Sequence, residues 1–347
     1  MEQTLKNGSL IIPKSSVTHH WSETLKRAVR DPLELCRLLN INPEQLPGGT
    51  SGLQQGHQLF RTLVPHPFIN LMQRGNPQDP LLLQVLPLAQ ENLPQAGFVA
   101  DPLQEHQSNP LPGLIHKYQS RVLLTSSGAC AINCRYCFRR HFPYAENSLS
   151  QQATSAILDY LQHHPKVNEV ILSGGDPLAT PDLRLADKIQ QLQQLPQLKR
   201  LRIHTRLPVV LPSRITDELL QTLASTHLKV ILVLHINHPQ EVGTELCEAL
   251  QRLRRTEITL LNQSVLLRGI NDQAEILAQL SETLFEQGVM PYYLHAFDPV
   301  AGAAHFAVDD QQARQIYAGL LTLLPGYLVP KLVREYPDQP AKTPLGW

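Results

Sequence analysis

The order of apolar and polar positions divides the chain in two. Residues 15–120 are rich in Pro, Gln and Leu and never alternate apolar with polar over the length of a strand. Short helical patterns fall at 21–29, 32–39, 57–63 and 67–73, broken by clusters such as Pro47-Gly48-Gly49. This predicts an irregular, mostly helical N-terminal region over residues 1–110. Its last stretch, 101–112, turns polar and proline-rich, as linkers do. From Arg121 the pattern becomes regular. Strands are predicted at 122–125, 169–172, 201–205, 229–236, 257–267 and 291–297, with helical periodicity at 149–162, 182–193, 216–226, 240–254, 272–287 and 309–324. The run Val230-Ile-Leu-Val-Leu234 has no polar face, which suits a parallel strand covered by helices. Six β-to-α repeats are too few to close an eight-stranded barrel. The fold class expected is therefore α/β, a partial (β/α)6 TIM-type barrel over 111–325 followed by a C-terminal tail over 326–347.

In such folds chemistry gathers at the carboxyl ends of the strands, and each end is polar here. The first strand runs into Cys130-Ala-Ile-Asn-Cys134-Arg-Tyr-Cys137-Phe-Arg-Arg140, three cysteines spaced C-x3-C-x2-C. The second ends in Ser173-Gly174-Gly175-Asp176-Pro177, the third in His204-Thr205-Arg206, and the fourth in His235-Ile-Asn-His238. The fifth carries Asn262-Gln263-Ser264 and the sixth ends in His295-Ala-Phe-Asp298. One polar strand end is unremarkable, but six in register describe a polar-lined cavity.

Three thiolates on one short loop can hold three irons of a cubane 4Fe-4S cluster and leave the fourth iron open. Zinc is a competing reading, since His141 could complete its ligand set, whereas three plain buried cysteines at this spacing would be a large coincidence. A disulfide network is disfavoured because three is odd and Cys36 and Cys247 are distant in sequence. Just before the first strand, Lys117, Tyr118 and Arg121 form either a solvated basic stretch or a phosphate clamp. Lys342, near the chain end, reads by itself as a solvated tail lysine.

Composition narrows the partners. Lys+Arg and Asp+Glu each number 30, so no broad attraction to nucleic acid or membrane follows. Leu10-Ile-Ile12 is too short for a signal peptide and no run is long enough to span a bilayer. Five cysteines, three of them clustered, suit a reducing compartment, so the cytoplasm is the expected location. Oligomeric state is not readable from the sequence.

The cysteine loop with its aromatic Tyr136, followed by a Gly-Gly-Asp strand end, resembles radical S-adenosylmethionine (SAM) enzymes. Longer strings narrow the resemblance. Pro112-Gly-Leu114, Tyr118, Arg121-Val122, Arg139-Arg140, Ser173-Gly-Gly-Asp-Pro-Leu178, Arg206-x-Pro-Val-Val-Leu-Pro212, Gln263-Ser-Val-Leu-Leu-Arg-Gly-Ile-Asn-Asp272 and Lys342-Thr-Pro344 resemble the lysine 2,3-aminomutase family. The similarity runs from about Trp21 to the C-terminus.

That resemblance implies an isomerase with a 4Fe-4S cluster on Cys130, Cys134 and Cys137, SAM, and pyridoxal 5′-phosphate (PLP) on Lys342. Lys117, Tyr118 and Arg121 would serve the PLP pocket, with Lys117 standing where the longer enzymes have arginine. Gly174, Gly175, Asp176, Arg206, His235 and Gln263 would serve SAM. Arg139 would grip the substrate carboxylate, while Asp298 and Glu335 would hold the ε-ammonium of L-lysine. At Glu335 the longer enzymes use aspartate. The short chain resembles the bacterial form that makes (R)-β-lysine for elongation factor P, which implies a link to that factor and its lysyl ligase, and an electron donor such as flavodoxin. The rival readings are an aminomutase acting on glutamate or on carrier-linked lysine and, in a different class, an iron–sulfur sensor that catalyses nothing. Asp298 and Glu335 would repel a second carboxylate, and a sensor leaves the polar strand ends and Lys342 unexplained.

Overall fold

A computed structural model describes residues 20–147, 149–337 and 339–345. The first nineteen residues, with the Leu10-Ile-Ile12 run considered above, lie outside the described residues.

Every strand and helix predicted beyond Arg121 is present. Strands β2 (Arg121–Ser127), β3 (Glu169–Gly174), β4 (Arg200–Thr205), β5 (Lys229–His235), β6 (Thr259–Val265) and β7 (Met290–His295) pair in sequence order, all parallel. A seventh parallel strand, β8 (Lys331–Arg334), adds to β7. The sheet ends in two antiparallel strands, β1 (Leu114–Tyr118) on β2 and β9 (Thr343–Pro344) on β8. The order β1 to β9 does not close on itself, so the barrel is partial. β1, β8 and β9 were not predicted, because none has an apolar run long enough to declare it.

The crossovers run through helices whose one apolar stripe is buried against the sheet. Among them are Gln151–Gln162, which buries Ile157 and Leu161, and Thr244–Arg254, which buries Leu246, Leu250 and Leu253. Ser150 caps the first of these, its hydroxyl accepting the Ala153 N–H at 3.1 Å. The apolar strands and these stripes make one continuous core, reaching from Val122 through Leu172, Ile203 and Leu232 to Leu260.

The N-terminal region is short helices and turns packed into that same core through Leu35, Leu53, Phe68, Leu81 and Leu82. One expectation is corrected. The helix placed at 57–63 is Gly49–Leu59, starting inside the Pro-Gly-Gly cluster read as a break. Its buried face is Gly52, Leu53 and Gly56, two of them glycines that carry no apolar periodicity to read. A Cβ on Gly56 would stand 2.5 Å from the Leu88 carbonyl oxygen, so only glycine allows this approach. The 101–112 stretch read as a linker lies on the barrel, with Leu103 and Glu105 buried.

Candidate active site

The strand ends and both flanking segments enclose one cavity of about 270 Å³. Each residue assigned to the site from the sequence lines it: Cys130, Cys134, Cys137, Lys117, Tyr118, Arg121, Arg139, Gly174, Gly175, Asp176, Arg206, His235, Gln263, Asp298, Glu335 and Lys342. His141 lies elsewhere, on a second cavity that has no cysteine in its lining. That removes the zinc set in which His141 was the fourth ligand.

At the cysteine end, backbone packing explains the glycine pair. The Gly175 and Asp176 N–H groups donate to the carbonyls of Ser127 and Ala129, both at 2.7 Å, which ties the β3 end to the cysteine loop. A Cβ on Gly175 would come within 2.5 Å of the Ala129 oxygen. Asp176 spends its carboxylate on the protein, accepting from Thr205 Oγ1 (2.7 Å) and the N–H groups of Arg206 (2.8 Å), Leu207 (2.9 Å) and Leu178 (3.0 Å). It therefore holds Arg206 in place. The Arg206 guanidinium donates to Cys134 Sγ (2.8 Å), Tyr136 Oη (2.5 Å), Gln84 Oε1 (2.7 Å) and Glu241 Oε2 (3.0 Å). Its Nε, buried in the cavity wall, has no partner. His235 Nε2 lies 3.0 Å from Tyr136 Oη, and burial, helped by the Arg206 charge, pushes its pKa down to about 3.

The opposite end is built by the tail. Leu345 is buried among Leu332 and Leu328, and its N–H donates to Leu332 O at 3.0 Å. That anchor and the β8–β9 pairing fold the chain back so that Lys342 bonds Glu335. Lys117 also bonds Glu335 (3.1 Å) and the Leu103 carbonyl (3.1 Å). Burial raises the Glu335 carboxyl, but the two lysines overcome it and hold the group down at about 2. Asp298, with no such bonds, is pushed by burial up to about 7, against the opposing pull of Lys342. The Arg121 guanidinium stacks on Tyr118 at 4.0 Å.

Two groups here were given no role from the sequence. His204 Nε2 is buried without a partner, and desolvation together with the charges of Arg202, Lys342 and Arg139 keeps the ring neutral. Glu105, from the supposed linker, takes two N–H groups of Arg139 at 2.8 and 2.6 Å, while Ser173 Oγ takes a third at 3.2 Å.

Residues 124–280 match the Radical SAM superfamily. An L-lysine 2,3-aminomutase from Escherichia coli is 53% identical over 326 residues, covering 94% of each chain. The chain belongs to the lysine 2,3-aminomutase family of radical SAM enzymes. A second relative of that name, from Haemophilus influenzae, is 48% identical over 96% of this chain and 98% of its own length. One from Clostridium subterminale is 35% identical over 94% of this chain and 77% of its own.

The family's cofactors are a 4Fe-4S cluster, SAM and PLP, and the residues fit all three. The three thiols are free and share one cavity. Among the described residues no three His, Cys, Asp or Glu converge as donors to a single ion. A cubane asks for something else, because each thiolate serves a different iron. The partnerless Arg206 Nε beside Cys134 suits the methionine carboxylate of SAM. At the far end, Lys117, Arg121, Arg202 and Lys342 gather positive charge with Tyr118, Tyr292 and Tyr293, as a phosphate-bearing aromatic ring requires. Among the described residues no helix is long and apolar enough to cross a membrane.

Proposed function

We propose that the protein is an L-lysine 2,3-aminomutase that converts (S)-α-lysine to (R)-β-lysine. The observation that carries this reading is the joining, in one cavity, of a three-cysteine loop, the tail amine of Lys342 and the acids Asp298 and Glu335. When bound, the cofactors supply a primary carbon radical able to abstract an unactivated hydrogen and an imine nitrogen able to migrate. The protein's own task is to place a lysine between them.

Arg139 presents N–H donors to the α-carboxylate, a charge-assisted and directional contact. Asp298 and Glu335 receive the distant ε-ammonium, and a second carboxylate at that end would meet two acids instead. Fixing both ends of a flexible chain aims one carbon, and effective concentration rises with that restriction. Ile132, Val122, Leu123 and Phe297 in the cavity wall keep water from a reactive intermediate. Lys117, Tyr118 and Arg121 take the phosphate, and Lys342 carries the covalent attachment.

The same reading extends to context. The short-form resemblance noted from the sequence extends it to a cytoplasmic enzyme whose product serves β-lysylation of elongation factor P through a lysyl ligase. A flavodoxin-type protein would supply the electron. The test is anaerobic reconstitution with iron, sulfide and PLP, incubation with L-lysine, SAM and dithionite, then chiral analysis of the amino acids. β-Lysine that disappears in Cys134→Ala is expected. SAM cleavage without β-lysine would overturn free lysine as the substrate.

A further inference from the structure

Arg139 meets Glu105 before it meets any substrate. Both side chains are buried, 9% and 5% exposed, and the pair is bidentate, with Nε donating to Oε2 and Nη2 to Oε1. A guanidinium has five N–H groups. Glu105 uses two and Ser173 Oγ one, which leaves one on each of Nη1 and Nη2. Those two are the number that a second carboxylate needs for a two-point grip.

The segment bearing Glu105 is locked rather than loose. Asp101 accepts the Glu105 N–H (3.2 Å) and faces His106 Nδ1 at 2.9 Å. Asn109 Nδ2 donates to Asn147 Oδ1 at 2.5 Å, and Leu103 O holds Lys117. Glu105, Phe138 and Arg139 also form a partition, lining both the active-site cavity and the second cavity.

Resting on the lysine reading above, we propose that Glu105 is a specificity-determining positioning residue that makes the site select a free carboxylate. Two consequences of the geometry carry this. The bidentate pair stops rotation of the guanidinium, so its two remaining donors are held in fixed directions. It also offsets the charge of Arg139, which stays protonated, so filling both donors matters more to recognition than net charge does. A carboxylate fills both. A carboxamide offers a single oxygen and turns an N–H toward the other donor, which leaves a buried group unpaired. Free lysine is thereby separated from a lysine joined to a carrier through its carboxyl group.

The test compares L-lysine with L-lysinamide as ligands of the PLP-loaded protein, following the cofactor's absorbance without SAM. Wild type should prefer L-lysine. In Glu105→Gln, which keeps the volume but loses the two-point grip, L-lysine should bind at least tenfold more weakly and L-lysinamide within twofold of wild type. An unchanged preference, or tighter binding of L-lysine, overturns the proposal; the latter would mean that Glu105 competes with the substrate. If Glu105→Gln does not fold, Glu105→Asp is read in the same way, since a shorter acid keeps the charge but cannot span both donors. Wild-type protein that binds neither ligand sinks the lysine reading and this one with it.

Discussion

Glu241 and Glu335 are carboxylates on basic partners, one fully buried and one largely so, at opposite ends of the site, and they are held in different ways. Glu241, fully buried, accepts from Arg206 Nη2, the Gln84 amide and the backbone N–H groups of Asn237 and His238. Nothing in the reaction needs those donors elsewhere. Glu335 is held by two ammonium groups, Lys117 and Lys342, on flexible stems. On the proposed reading, one of them leaves when the Lys342 amine is committed to PLP. On that reading the cysteine end is a fixed scaffold for a cluster that stays, whereas the tail end trades partners as ligands come and go. Electrostatic preorganisation belongs to the first end and recognition to the second.

The largest effect tests whether the tail is chemistry or cover. Lys342→Ala should abolish the covalent PLP absorbance and lower β-lysine formation by at least ~10³-fold. Cluster absorbance and reductive SAM cleavage should survive, because Lys342 has no contact with the scaffold end. Loss of both together would erase the distinction between the ends. The next effect is on stability. Glu241→Gln leaves Arg206 buried without its counter-charge, at a cost of about 3–5 kcal/mol in chemical denaturation. Glu335→Gln should cost less, since the Lys342 side chain is 20% exposed and can turn to water. Equal losses would show both ends to be scaffold.

The same contrast explains what was legible in the sequence. The barrel announced itself because strands and helices repeat a periodicity, and a strand such as Val230-Ile-Leu-Val-Leu234 has few alternatives to burial. Cys130, Cys134 and Cys137 were legible because spacing itself is the signal. Lys342 gave none by composition and came only from the resemblance; its position depends on a two-residue strand and one buried leucine, Leu345. Glu105 was hidden in a segment whose polarity imitates a linker, since a buried ion pair reads as two exposed charges until the partners are seen together. His204 was legible as a strand end, but not the partnerless Nε2 that makes it notable.

The smallest of these predicted effects concerns Asp298, and its sign runs in opposite directions for binding and for stability. Burial raises its carboxyl from 3.8 to about 7, with Glu335 and Glu105 adding to the rise and Lys342 and Arg334 opposing it. Below about 7 the empty protein therefore holds a proton on Asp298, and in the proposed role of Asp298 an incoming ε-ammonium must displace it. Lysine affinity attributable to this group should strengthen about tenfold per pH unit up to that value and level off above it. Asp298→Asn should remove that component, leaving only the dependence from lysine's own α-amine. Stability moves the other way. Because the folded pKa lies above the unfolded one, the group's contribution is complete below about pH 4 and lost as pH rises through about 7. Asp298→Asn should accordingly be more stable than wild type at pH 8, by on the order of 2 kcal/mol, and show little gain at pH 4. Thermal or chemical denaturation of the ligand-free protein at the two pH values reads this directly. A gain in stability with a loss of pH-dependent affinity would mark Asp298 as a residue kept for recognition. No gain at pH 8 would place it with the scaffold, alongside Glu241.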